Sequence, residues 1–148
     1  MNLLKVFDES FKRAKDLKYE FVYVLVDIHD TIFHATFDKE EKYEYFQYAK
    51  EALRLMSNIN EPSIKLILWS SSYEENLAKY VKKLQEDGIK VDYVNENPEA
   101  ENTRIACFDK KPYFNVGIDN AFGFDAEHDW EVLFNHFAKN PIFSKKNS

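Results

Sequence analysis

Cysteine, glycine and proline are scarce in this chain of 148 residues, which holds one Cys, 3 Gly and 4 Pro. The lone Cys107 forms no internal disulfide and builds no multi-cysteine metal site, and such sparse usage fits a reducing compartment. Its ordinary role is that of a small buried hydrophobe. So few glycines exclude a glycine-rich phosphate loop. Positive charge is also short, with 20 Lys and Arg against 26 Asp and Glu and a net charge of −6. That balance opposes sequence-independent binding to nucleic acid, although a local basic groove stays open. No apolar run approaches a membrane span, and Met1 to Leu17 mixes Lys, Asp and Glu among its apolar positions, unlike a signal peptide. The expected location is the cytoplasm.

Aromatic residues are plentiful: 13 Phe, 9 Tyr and 2 Trp in a chain that is 45% hydrophobic and 31% charged. The composition is that of a globular protein with a bulky core and short connections. The length fits one domain, expected over residues 1–140 with a polar tail at 141–148.

Leu3, Leu4, Phe7, Phe11, Ala14 and Leu17 recur at helical spacing and predict an amphipathic first helix. Phe21 to Val26 is β-branched and aromatic without polar alternation, the pattern of a strand covered on both faces in a parallel sheet. Phe46, Ala49, Leu53 and Met56 predict a helix over about 39–56, with a turn at 58–62. A second buried strand runs from Ile64 to Trp69. Ser72 with Glu75 is a capping-box signature for a helix on which Leu77, Tyr80, Val81 and Leu84 face inward until Gly88 ends it. Val91 to Val94 reads as a third strand, 95–102 as a polar loop and 103–108 as a short strand or hairpin arm. Phe114 to Ile118 is a short apolar run, and Trp130, Leu133, Phe134 and Phe137 line a closing helix. Strands alternating with helices predict parallel βαβ units in a three-layer, Rossmann-like α/β fold. In such folds ligands bind beyond the carboxyl ends of the strands, where strand order reverses.

Polar residues stand at those ends: Asp27, His29, Asp30 and Thr31 after the first strand, Ser70 after the second, Asp119 and Asn120 after the last. Two carboxylates brought together repel unless a cation lies between them, so Asp27 and Asp119 imply a hard cation, and the expected one is Mg²⁺ with retained waters. Lys111, extended by the following Pro112, is the candidate for facing a substrate anion, with Lys110 as the fallback. Alternatives exist for several residues. His29 and His34 with Asp27 and Asp30 could instead ligate zinc or iron. Tyr43, Tyr45, Phe46 and Tyr48 could stack on a nucleobase, but their periodicity fits a core face with hydroxyls at its rim. Packing or exposure accounts for His128 and His136.

Asp27-Ile-His-Asp-Thr-Ile32 resembles the first motif of the haloacid dehalogenase superfamily, a hydrophobic strand ending in Asp-x-Asp-x-Thr. Ser70 after a hydrophobic strand resembles the second motif, Lys111-Pro112 the third, and Gly117-Ile-Asp119-Asn120 the acidic fourth. The four occur in the family's order and span about residues 20–120. The resemblance implies a phosphatase in which Asp27 is the nucleophile and forms an aspartyl-phosphate. It implies Mg²⁺ held by Asp27, Asp119, the backbone carbonyl of His29 and, through water, Asn120. Thr31, Ser70 and Lys111 are then the phosphate-binding residues, Ser70 and Lys111 through the phosphoryl oxygens and Thr31 by orienting the loop and Asp27.

Two positions depart from that pattern. His29 stands where the family's phosphatases carry a second Asp as general acid/base, and imidazole is competent for that work. Asn120 stands where a second acid is common, with Asp125 as a poorly spaced substitute. Neither the 32–63 gap nor the 71–110 gap holds a cap domain, leaving the stretch 33–38 as the only flap. An uncapped site suits a large or polymer-attached phosphate, or one shielded by a second subunit of a homo-oligomer. The competing reading is a regulatory module of the same fold that binds phosphate and metal but has lost turnover.

Overall fold

The computed structural model describes residues 2–35 and 43–139. The elements are α1 (Asn2–Leu17), β1 (Phe21–Asp27), α2 (Ala49–Ser57), β2 (Ser63–Trp69), α3 (Glu74–Glu86), β3 (Tyr93–Val94), β4 (Val116–Ile118) and α4 (Asp129–Lys139). The strands form one all-parallel sheet in the order β3-β2-β1-β4, so strand order reverses between β1 and β4. This is a Rossmann-like α/β fold.

Chain handedness explains how the layers are filled. The steps β1 to β2 and β2 to β3 run in the same direction, so right-handed crossovers place α2 and α3 on the same face. The even-numbered strand residues Val22, Val24, Val26, Ile64, Leu66 and Leu68 share a single buried cluster with residues from all four helices, among them Phe7, Leu53, Leu84 and Trp130. The return from β3 to β4 runs the other way and crosses the opposite face. No helix forms there, because residues 95–115 carry Pro98, Pro112 and several Asn. The third layer is therefore an irregular segment, longer than the short connections that the low glycine and proline content suggests.

Several boundaries differ from expectation. The second helix starts at Ala49 and not near residue 39, and residues 39–42 lie outside the described ones. Residues 44–46 are taken up in pairing with the chain after β1: His34 N–H donates to the Glu44 carbonyl at 2.9 Å and Phe46 N–H to that of Ile32 at 3.0 Å. Tyr48 then turns into the left-handed region at φ 69° to start α2. The Ser72 capping box does not form. Its Oγ and N–H both engage Ser70 Oγ at 3.1 Å, and Tyr73 becomes the N-cap, without a side-chain bond. Gly88 ends α3 as expected, at φ 82°, with Ile89 N–H reaching the Leu84 carbonyl. Residues 103–108 make no strand; Thr103 N–H closes a tight turn on the Ala106 carbonyl at 2.8 Å. Leu17 is exposed, and so is Cys107, contrary to the buried role. The tail beyond Lys139 lies outside the described residues.

The two edge strands are short because side chains replace parts of their ladders. Asp92 Oδ2 accepts the Leu66 N–H at 2.8 Å before β3, and Asn115 Oδ1 accepts the Tyr23 N–H at 2.8 Å before β4. After β3, Asn95 grips the backbone of Ser70 from both sides: its Oδ1 accepts the Ser70 N–H and its Nδ2 donates to the Ser70 carbonyl, each at 2.8 Å. Among the described residues no helix is long and apolar enough to cross a membrane.

Candidate active site

Register places the first two acids. Val26 pairs with Ile118, so Asp27 and Asp119 are the next residues on adjacent parallel strands. Strands pair at about 4.8 Å, which sets the two carboxylates side by side at the point where strand order reverses. Burial pushes the Asp27 carboxyl above the usual range and the neighbouring charge of Asp119 adds to it, while bonds from the Thr31 hydroxyl and the Ile28 N–H, and the His29 ring, pull the other way. Among the described residues neither carboxylate has an ion-pair partner. Asp119 is buried, and its Oδ1 accepts the Ala121 N–H at 2.9 Å, capping a short 3₁₀ turn over Asn120–Phe122.

Thr31 ties the two strand ends together. It is wholly buried; its Oγ1 donates to Asp27 Oδ2 at 3.1 Å and accepts the Asn120 N–H at 3.3 Å. The indole N–H of Trp130 donates to the Thr31 carbonyl at 2.6 Å. Thr31 is thus held by Asp27, the Asn120 backbone and Trp130. The turn itself winds on the Ile28 carbonyl, which accepts from the N–H groups of Thr31, Ile32 and Phe33. Asp30 sits at φ 57°, and its Oδ1 accepts the Ala35 N–H at 3.1 Å, so this carboxylate braces the turn.

His29 and His34 do not converge. Nε2 of His29 lies 2.7 Å from the Tyr80 hydroxyl, whereas the His34 ring stacks on Phe46 at 3.8 Å between centroids. Among the described residues no group of three or more His, Cys, Asp or Glu side chains is placed to hold a metal, so the zinc or iron alternative on His29, His34, Asp27 and Asp30 is not assembled.

The other expected residues are placed less directly. Ser70 Oγ is engaged with Ser72, as described above. Asn120 is exposed and joins the site through its backbone. Lys111 and Lys110 are both exposed, and Lys110 lines a cavity of about 320 Å³ whose wall includes Asn95. Asp125 stands apart as a turn residue before α4, with its carboxylate on the Glu127 N–H at 3.1 Å and His128 Nδ1 at 2.9 Å. His136 pairs with Asp8 across α4 and α1 at 2.8 Å. Tyr45 donates to Asp87 at 2.6 Å and Tyr48 packs on Phe134, so these two tyrosines serve packing, though from the chain before α2 and not from the helical face that their spacing predicts.

Sequence reasoning missed Asn95, the Trp130 bond to Thr31 and the contact of Tyr80 with His29. The first two lack a local signal, because each joins residues far apart in the chain. Tyr80 carried one, a hydroxyl on an otherwise apolar helix face.

No protein-family model and no curated protein matches the chain. A solved structure from Bacteroides thetaiotaomicron, described as a conserved protein, is similar in fold: the TM-score is 0.59 at 23% identity, over 83% of this chain and 98% of that one.

Proposed function

We propose that the protein is a Mg²⁺-dependent phosphomonoesterase of the haloacid dehalogenase type, with Asp27 as nucleophile. The observation that carries this reading is the side-by-side placement of Asp27 and Asp119 at the reversal of strand order, with no lysine or arginine paired to either among the described residues. Two hard oxygen donors with a raised Asp27 pKa suit a divalent cation that keeps several waters. When bound by Asp27, Asp119, the His29 carbonyl and, through water, Asn120, magnesium supplies charge neutralisation for the phosphoryl group.

A carboxylate oxygen of Asp27 attacks phosphorus, and the bond from phosphorus to the leaving oxygen breaks as the aspartyl-phosphate forms. His29 gives the leaving oxygen its proton, then takes one from the water that attacks the same phosphorus and frees Asp27. Thr31 holds the Asp27 carboxylate in place throughout. Ser70 and a lysine of the 110–111 pair receive the remaining phosphoryl oxygens. Among the described residues the only helices between β1 and β3 are α2 and α3, and a site left open by them suits a large or polymer-attached phosphate.

The test is hydrolysis of p-nitrophenyl phosphate. Activity is expected to require Mg²⁺ and to fall at least about 1000-fold in Asp27→Asn, since β1 carries no other carboxylate to form an acyl phosphate in its place. Equal rates for wild type and Asp27→Asn would remove the mechanism. One observation favours a second reading, a regulatory module without turnover: Ser70 Oγ donates to Ser72 Oγ and accepts the Ser72 N–H, each at 3.1 Å, in place of a phosphoryl oxygen. In that case beryllium fluoride with Mg²⁺ raises the Tm while no phosphate ester is hydrolysed.

A further inference from the structure

Tyr80 lies in the middle of α3 and is only 3% exposed. A buried phenol needs a polar partner, and this one meets Nε2 of His29 at 2.7 Å. The two rings also meet edge to face, with centroids 5.2 Å apart and planes at 84°. The same tyrosine ring stacks on Phe33 at 6.0 Å and meets Tyr43 edge-on at 5.8 Å. Phe33 is itself wholly buried and packs on Tyr45 at 4.7 Å, where the chain after β1 bridges to the chain before α2. A single α3 residue thus touches the turn that carries His29 and both arms that flank residues 36–42.

We propose that Tyr80 is a positioning residue for His29, holding the imidazole through Nε2 so that its proton transfer to the leaving oxygen occurs from a set place. The assignment rests on the phosphomonoesterase reading. The step is balanced within that reaction: the oxygen–phosphorus bond to Asp27 forms, the bond to the leaving oxygen breaks, and that oxygen takes the proton carried by His29. Positioned proton transfer matters in proportion to how poor the leaving group is, because a nitrophenolate departs without a proton and an alkoxide does not.

Tyr80→Phe keeps the ring and its packing and removes only the hydroxyl. With Mg²⁺ present, the single-turnover rate of leaving-group release, read before water attacks the aspartyl-phosphate, is expected to fall about 10- to 100-fold for an alkyl phosphate such as glycerol 2-phosphate and to stay within about threefold for p-nitrophenyl phosphate. In a His29→Ala background the same change should be silent. An equal fall on both substrates, or no fall on either, overturns the assignment. A second measurement needs no turnover: long-range ¹H–¹⁵N NMR of the His29 ring should differ between wild type and Tyr80→Phe, and identical ring signals overturn the assignment as well. If Asp27→Asn retains full hydrolysis, the phosphomonoesterase reading is what fails, and the His29 ring signals still decide whether Tyr80 holds the imidazole.

Discussion

On one face of the sheet, valine, leucine and isoleucine side chains meet aromatic and aliphatic residues from four helices in a continuous apolar cluster. On the other face, Tyr23, Lys65 and Tyr93 from three different strands meet the carboxylate of Glu99, which arrives on the irregular segment between β3 and β4. Tyr23 donates to Glu99 Oε1 at 2.9 Å, Tyr93 donates to Oε2, and Lys65 Nζ lies 3.4 Å from Oε2. Behind that carboxylate, Asn97 Oδ1 accepts the Glu99 N–H at 3.1 Å and its Nδ2 donates to the Tyr113 carbonyl at 2.9 Å. The first face is held by area removed from water, which has no direction and little dependence on pH. The second buries Leu25 and Ile67 but adds a few directed bonds converging on one charge, so losing a single side chain or proton should loosen the segment that carries Glu99.

Truncation on the helix face should have the largest effect. Trp130 is fully buried and also satisfies the Thr31 carbonyl. Trp130→Ala should cost about 3–5 kcal/mol in urea unfolding, lowering the midpoint for the whole chain. A cost below about 1 kcal/mol would show that the apolar face does not dominate stability.

Glu99→Ala should cost less, roughly 1–3 kcal/mol, because its partners stay near water. The effect should be local. Amide exchange should speed up over residues 95–115 while α2 and α4 keep their protection; uniform loss across the chain would erase the distinction between the faces.

Acid should act selectively on the same latch. Burial alone would raise the Glu99 pKa, but the bonds from Tyr93 and Tyr23 and the charge of Lys65 outweigh it and hold the carboxyl below its ordinary value. Tyr93, bonded to that carboxylate, is correspondingly pushed up to about 12. A depressed carboxyl contributes stability that is present above the unfolded value of about 4.3 and lost as pH falls through the lower folded value. Near-UV signals from tyrosine should therefore change in that acid window before the helix signal does, and Glu99→Gln should abolish the separation.

The smallest expected effect has the opposite sign. Asp27 has a raised pKa, so its ionisation costs native stability, and that cost grows as pH rises from the ordinary carboxyl range through the folded value. Without divalent ions, Asp27→Asn should raise the Tm at pH 7 by a few degrees and leave it nearly unchanged in acid. Adding Mg²⁺ should stabilise wild type more than the variant. A lower Tm for the variant at neutral pH would show that the Asp27 charge is welcome as it stands.

The strands and helices of the apolar face were legible because burial imposes a period on sequence. Phe7, Phe11 and Ala14, then Leu77, Tyr80 and Leu84, mark their buried stripes at helical spacing, and β1 and β2 show as largely apolar runs, the second interrupted by Lys65. The start of α2 was not legible, because pairing of residues 44–46 with the chain after β1 overrode a helical pattern that Phe46 continues. The helix cap at Ser72 failed for a similar reason, since a local serine turn competed for the same hydroxyl. The acids at the ends of β1 and β4 could be named from their position after apolar runs. The bond from Tyr80 to His29 could not, because periodicity reports which side of a helix is buried and says nothing of which polar atom meets it.

Amphipathic spacing and apolar runs by themselves determined that this chain alternates helices and strands in a parallel α/β sheet with polar residues at the strand ends. Tertiary structure alone decided that Asp27 and Asp119 stand on neighbouring strands, that the four helices of the described residues share one face, and that an irregular segment hung on Glu99 covers the other. The division has a physical cause. Burial acts on every turn of helix and every second residue of a strand and so leaves a periodic trace, whereas strand order, crossover hand and side-chain hydrogen bonds join residues that the chain keeps far apart.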